Sequence, residues 1–154
     1  MHGVVVGLHV NPEGGVPKHP VEHLRVETNG CVGDKQNDLK HHGGIDKAVC
    51  ILQQEIIEQL NQEGHPITAG STGENILIQG LAIGDIKPGS VIKFPNVQLM
   101  ITQDAPPCKT IKESFLNGYF NSISHTKSPN HTRWYAKVIE EGSVRLNDTI
   151  EVIN

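Results

Sequence analysis

The chain has 154 residues, carries a formal net charge of -4, and is 36% hydrophobic with only 4% aromatic residues. This length suits one domain whose core is large enough to fold without disulfides, so we expect residues 1–154 to form a single domain. A pI near 6.1 argues against a nucleic-acid-binding protein, and no apolar run reaches the length of a membrane span.

The first part of the chain predicts short strands around a long polar loop. Apolar Gly3–Val10 predicts a buried strand, and Val21–Glu27 predicts a second strand that meets the turn at Asn29–Gly30. A polar loop bounded by glycines, Gly33–Asp46, then leads into a strand over Ala48–Leu52. Because loops longer than about 12 residues in compact domains are usually functional or disordered, we expect an ordered, functional loop.

The remaining elements follow one amphipathic helix. Its predicted range, Gln53–Glu63, has apolar residues at helical spacing and stops at Gly64. The later β-prone runs between glycine turns are Asn75–Gln79, Val91–Phe94, Val97–Thr102, Trp134–Ile139 and Thr149–Ile153. Asn117–Asn130 is polar and irregular and predicts a mobile segment. Many short strands with regular turns indicate a mainly β barrel or sandwich with two short helices packed outside.

The cysteines point to a reducing compartment. Cys31, Cys50 and Cys108 are odd in number and widely spaced, which fits neither a disulfide framework nor a zinc ribbon. Met1–Val10 has neither the charged start nor the cleavage site of a signal peptide. We therefore predict a cytoplasmic location.

The stretch Gln103–Thr110 combines a reactive side chain with a backbone suited to presenting it. Two prolines fix the approach to Cys108, and Lys109–Leu116 has the apolar spacing of a short helix. Unpaired N–H groups at a helix start, with Lys109 and Lys112 nearby, would favour the thiolate. Cys108 then suits a sulfur nucleophile, a persulfide carrier or a soft-metal ligand, and the alternative is an inert buried cysteine.

Two further segments are candidates for anion binding. His41–Gly44 ends in two glycines, whose backbone N–H groups can form an anion-binding nest near Lys35 and Lys47, and the alternative is an ordinary turn. Arg133 beside Trp134 and Tyr135 offers a planar donor fork for a phosphate. On a strand those two aromatic residues point to opposite faces, so at least one is expected to fill the core.

Taken in order, short motifs along the chain resemble those of the MOSC family, named for the C-terminal domain of molybdenum cofactor sulfurases. The motifs are Gly33-Asp34-Lys35, His42 to Ala48, Gly73-Glu74-Asn75, Ile83-Gly84-Asp85, Pro107-Cys108, Arg133 through Tyr135 to Val138, and Gly142. The resemblance extends from Val4 to Val152, and the order and gaps make it more specific than any one motif.

The resemblance implies a closed β-barrel and a molybdopterin-type molybdenum cofactor, with Cys108 as the catalytic sulfur carrier or the metal ligand. Pyridoxal phosphate binding is implied only at the level of the family. The residues implied around the cofactor are Lys35, His42, Gly43, Gly44, Lys47, Glu74, Asn75, Lys109 and Arg133. The sequence departs from the family at Asp104-Ala105, where an arginine is usual, at Trp134, where a glycine is usual, and at Asn147-Asp148, where Gly-Asp is usual.

Three functions remain open at this point. In the first, Cys108 accepts a sulfane sulfur from a cysteine desulfurase and passes it to the cofactor. In the second, Cys108 ligates molybdenum and the protein reduces N-hydroxylated or N-oxide compounds. In the third, the protein is a non-catalytic adaptor for a phosphorylated ligand or for a partner molybdoenzyme.

Overall fold

The structure, a computed structural model, describes residues 1–35 and 44–154. In those two ranges the strands are β1 His2–Val10, β2 His19–Pro20, β3 His23–Glu27, β4 Gly30–Cys31, β5 Val49–Gln53, β6 Ile76–Gln79, β7 Val91–Lys93, β8 Gln98–Ala105, β9 Arg133–Glu140, β10 Gly142–Arg145 and β11 Thr149–Ile153. The α-helix is α1, Gln54–Gln62, and the 3-10 helices are Ile45–Lys47, Lys109–Ser114, Leu116–Gly118 and Phe120–Ile123.

Seven strands close into a barrel in the order β11-β7-β8-β9-β5-β6-β1. The closing pair is β1 with β11, in which Gly3 lies opposite Ile150. β5 and β6 run parallel, and α1 is part of the crossover that such a pair requires. A second sheet, β10-β3-β4, lies outside this order. The mainly β, closed-barrel fold predicted from the sequence is confirmed.

The apolar core has two large parts. Inward-facing side chains of the strands fill the barrel around Trp134, the largest fully buried side chain. The second part lies beneath α1, where Ile56, Ile57 and Leu60 pack with Phe115 and other apolar residues of the segment after Cys108. The helix predicted from apolar spacing is confirmed, and its buried face supports the segment that follows Cys108.

One local prediction differs from the structure, and one strand was missed. The helix expected over Lys109–Leu116 is a 3-10 helix that ends at Ser114, because Phe115 returns to an extended backbone at φ -128°. Residues 117–130, polar and irregular in sequence, contain turns and a 3-10 helix over Phe120–Ile123, and their mobility stays a prediction. Strand β10 was not predicted, and it pairs with β3 rather than with its neighbours in sequence.

Candidate functional site

Cys108 lies where the chain leaves β8 and enters the 3-10 helix Lys109–Ser114. Its backbone is extended, at φ -140° and ψ 176°, and its side chain is partly exposed. The Sγ atom lies 2.9 Å from Thr110 Oγ1, and Lys109 beside it is exposed. A single short 3-10 helix aligns fewer peptide dipoles than the helix expected from the sequence. The polar group at hydrogen-bond distance from the sulfur is the Thr110 hydroxyl.

The other two thiols are buried. Burial raises the pKa of Cys31, whose Sγ lies 3.7 Å from the carbonyl oxygen of Ala48. Burial also raises the pKa of Cys50 to about 11, against an opposing effect of the Arg133 charge. Thiols of this kind stay protonated at neutral pH and behave as small apolar side chains. Of the three thiols, Cys108 is thus the one that is partly exposed.

A cavity of about 380 Å³ opens beside the start of β4 and the 3-10 helix Ile45–Lys47. Its lining residues are Glu27, Asn29, Gly30, Cys31, Val32, Asp34, Lys35, Gly44, Lys47 and Ala48. Three of them, Lys35, Gly44 and Lys47, were predicted from the sequence as cofactor-binding residues. Gly44 has φ 93° and open space where a Cβ atom would stand, which leaves its backbone accessible. His42 and Gly43, predicted for the same role, lie outside the described residues.

Lys47 connects this cavity to the strand that carries Tyr135. Its ammonium nitrogen lies 5.7 Å from the centre of the Tyr135 ring, in range of a cation–π contact. Thr102 Oγ1 lies 2.5 Å from the carbonyl oxygen of Asp46 and 3.2 Å from that of Tyr135, which ties the 3-10 helix to β8 and β9. The Tyr135 ring packs with Cys50 and Ala105, three residues before Cys108. Trp134 and Tyr135 fill separate buried clusters, as their opposite directions on a strand predicted.

A buried ion pair supports the wall of the cavity. The Asp34 carboxylate accepts hydrogen bonds from the Lys18 ammonium, from Asn75 Nδ2 at 2.9 Å and from the Asn11 backbone N–H at 2.8 Å. The side chains of Lys18 and Asp34 are 8% and 2% exposed. Asn75 Oδ1 also accepts the backbone N–H of Cys50 at 3.0 Å. Asn75, predicted around the cofactor, therefore joins the cavity wall to β5.

Arg133 and Glu74, also predicted around the cofactor, are bound to the protein's own groups. The Arg133 guanidinium donates hydrogen bonds to the carbonyl oxygens of Thr72 at 2.7 Å, Ala105 at 3.2 Å and Pro106 at 3.4 Å. The Glu74 carboxylate accepts hydrogen bonds from the Gly70 N–H at 2.6 Å and the Thr72 hydroxyl at 3.0 Å. Burial raises the pKa of Glu74, and the Arg133 charge acts against this increase. Direct contact of either side chain with a cofactor stays a prediction.

Comparisons with known proteins agree with the barrel fold and with the motifs read from the sequence. The sequence model of the MOSC domain matches residues 38–151, well over half of the chain. The chain belongs to the MOSC domain family, which is associated with molybdenum cofactor binding.

Two curated relatives share this sequence over most of its length. YflK of Bacillus subtilis is 27% identical over 144 residues, which cover 92% of this chain and 64% of YflK. YiiM of Escherichia coli is 24% identical over 138 residues, which cover 85% of this chain and 59% of YiiM. The chain therefore spans about 60% of the length of these relatives.

Solved structures show the same fold. The YuaD protein of Bacillus subtilis superposes with a TM-score of 0.78 at 20% identity, over 99% of this chain and 96% of YuaD. The crystal structure of Escherichia coli YiiM gives a TM-score of 0.68 at 20% identity, over 100% of this chain and 70% of YiiM.

Across residues 1–35 and 44–154, no group of three or more His, Cys, Asp or Glu side chains could hold a metal ion. Among the same residues, no helix is long and apolar enough to cross a membrane.

Proposed function

We propose that this chain binds a molybdopterin-type molybdenum cofactor and that Cys108 serves as its sulfur carrier. The observation that carries the proposal is the contrast among the three thiols, of which Cys108 alone is not buried. A carrier needs a thiol that a donor protein can reach, and burial excludes Cys31 and Cys50 from that role. The cysteine desulfurase donor and a molybdoenzyme partner are part of this proposal, as is a cytoplasmic location.

The cavity supports the cofactor part of the proposal. Its volume of about 380 Å³ lies within the range of small-molecule sites, roughly 300 to 1,000 Å³. Lys35, Lys47 and the accessible backbone of Gly44 provide the positive charge and N–H groups that a phosphate requires. These three residues would hold the cofactor's phosphate, and the bound cofactor would supply a molybdenum centre able to take a sulfur ligand.

The transfer to Cys108 needs no external oxidant or reductant. The Cys108 thiolate attacks the terminal sulfur of a persulfide on the donor, and a new S–S bond forms on Cys108. The donor's S–S bond breaks, and the donor leaves as a thiolate that keeps the bonding electrons. The Thr110 hydroxyl, 2.9 Å from Sγ, can donate a hydrogen bond to the attacking sulfur. Exposed Pro106 and Lys109 leave space for a donor on both sides of Cys108.

The first test is the sulfur load and the molybdenum content of protein purified anaerobically from a host that makes the cofactor. Native mass spectrometry should detect one extra sulfur on Cys108, and the Cys108→Ser variant should lose it. Cys50→Ala is the matched control, since Cys50 is buried, and it should keep the load. Full sulfur loading of Cys108→Ser would overturn the carrier proposal.

The same experiment distinguishes the rival functions. Molybdenum near one atom per chain, lost in Cys108→Ser, would indicate that the thiolate ligates the metal and would favour the reductase. Turnover of a hydroxylamine with a reductase supplied would then support that function. An adaptor would keep its ligand affinity in Cys108→Ser.

A separate test addresses the cavity. Lys47→Ala should lower cofactor affinity at least about tenfold, because a hydrogen bond to a charged group contributes roughly 1.5 to 3 kcal/mol. Molybdenum retained after gel filtration measures this loss. Lys93→Ala, on the exposed side of β7, is the control and should retain the wild-type content. Equal retention in both variants would remove Lys47 from the binding site.

A further inference from the structure

We infer that Arg133 is a positioning residue that holds the backbone around Cys108 through the turn formed by residues 70–74. The inference rests on the proposed function, since it concerns the placement of the thiol that function uses. It assigns Arg133 to the protein's own backbone rather than to a ligand.

On the N-terminal side of Cys108, Arg133 donates hydrogen bonds to a backbone segment that has few donors of its own. Pro106 and Pro107 have no backbone N–H, so carbonyl oxygens are the backbone groups able to attach this segment. The Arg133 guanidinium donates to the carbonyls of Ala105 at 3.2 Å and Pro106 at 3.4 Å. The arginine fork donates from two terminal nitrogens held in a fixed plane, Nη1 to Thr72 and Nη2 to Ala105 and Pro106, whereas a lysine donates from a single nitrogen.

The same guanidinium attaches this segment to the turn. It donates to the carbonyl oxygen of Thr72 at 2.7 Å, the shortest of its three hydrogen bonds. On the C-terminal side of Cys108, the Ser114 hydroxyl lies 2.8 Å from the hydroxyl of Ser71, next to Thr72 in the turn. The residues before and after Cys108 are therefore fixed to the same five-residue turn.

The turn is itself held rigidly. Glu74 is fully buried and accepts hydrogen bonds from the Gly70 N–H and the Thr72 hydroxyl, which closes the turn on itself. Gly70 has φ 82°, and a Cβ atom there would lie 2.5 Å from the carbonyl oxygen of Lys18. A turn closed by its own buried carboxyl group is a suitable base for positioning a reactive side chain.

The test compares Arg133→Lys, which keeps the charge but not the fork, with Arg145→Lys at an exposed position of β10. Hydrogen exchange of the amides of residues 108–114 should become about tenfold faster in Arg133→Lys, which corresponds to about 1.4 kcal/mol. In protein labelled with 15N at cysteine, the Cys108 signal should broaden or split while the Cys31 signal stays sharp. Arg145→Lys should change neither measurement.

Ser114→Ala removes the attachment on the other side of Cys108 and should give the same changes at smaller amplitude. If Arg133→Lys does not fold, Ser114→Ala decides whether the turn positions Cys108. A folded Arg133→Lys variant with wild-type exchange and a sharp Cys108 signal would overturn the inference. None of these measurements uses the cofactor or the sulfur donor, so a failure here is distinct from sulfur loading of Cys108→Ser, which would overturn the proposed function.

Discussion

At the scale of the residue, burial decides which thiol can react. We expect iodoacetamide at neutral pH to alkylate Cys108 and to leave Cys31 and Cys50 unmodified in the folded protein. Burial raises the pKa of Cys50 to about 11, so its thiolate fraction at neutral pH is on the order of one in ten thousand. Peptide mass spectrometry measures the modification, and in denaturant all three cysteines should react. Native alkylation of Cys50 as fast as that of Cys108 would contradict this prediction.

Single residues also show which parts of the candidate site could be predicted from the sequence. The motifs of the family resemblance predicted Lys35, Gly44 and Lys47 as cofactor-binding residues, and the structure places all three in the wall of one cavity. Their binding role stays a prediction. The buried ion pair of Lys18 could not be predicted, because its partner Asp34 lies 16 residues away in sequence. Nothing in the local sequence distinguishes a buried lysine from an exposed one. Asn147, which stands where the family usually has glycine, has φ 70°, a conformation that asparagine tolerates.

At the scale of the element, α1 links the stability of the fold to the segment after Cys108. Leu60→Ala should lower the free energy of unfolding by about 2 to 5 kcal/mol, because it leaves a cavity against Phe115 and Ile111. Urea denaturation followed by circular dichroism measures the change. Gln59→Ala, on the exposed face of α1, should stay within about 0.5 kcal/mol of the wild type. Equal effects of the two substitutions would mean that α1 does not pack as described.

The elements were predicted where local pattern decides the structure. α1 has a strong apolar stripe, and its predicted range extends only one residue beyond the observed helix at each end. The segment after Cys108 has the same kind of stripe, yet it forms only a short 3-10 helix, and Phe115, which packs in the cluster beneath α1, has an extended backbone. β10 has only four residues and a single well-buried aliphatic side chain, Val144, so no alternating run marked it as a strand.

At the scale of the whole molecule, closure of the barrel depends on contacts between distant residues. β1 pairs with β11, so that His2 lies opposite Glu151 at the other end of the chain. Propensity and periodicity predict the strands but contain no information on such a pairing, and they left a sandwich equally open. The choice of a closed barrel came from the family resemblance, which spans most of the chain.

The pH dependence of stability belongs to the same scale, because His9 and Glu74 lie inside the folded protein. Burial lowers the pKa of His9 below 6.5, so the stability due to its neutral form is complete above pH 6.5 and is lost as the pH falls. Burial raises the pKa of Glu74 above 4.5, so its contribution is complete below pH 4.5 and is lost as the pH rises through the folded pKa.

Because the pKa of His9 is lowered and that of Glu74 is raised, we predict different changes in the pH dependence of stability for a variant at each residue. In His9→Gln, the free energy of unfolding should depend less on pH just below pH 6.5 than in the wild type, by up to about 1.4 kcal/mol per pH unit. In Glu74→Gln, the free energy of unfolding should decrease less than in the wild type as the pH rises above 4.5. Urea denaturation of the three proteins across this range measures the slopes, and only the slopes are compared, since each substitution also changes packing. Identical slopes in His9→Gln and the wild type would mean that His9 takes up its proton as readily in the folded protein as in the unfolded chain.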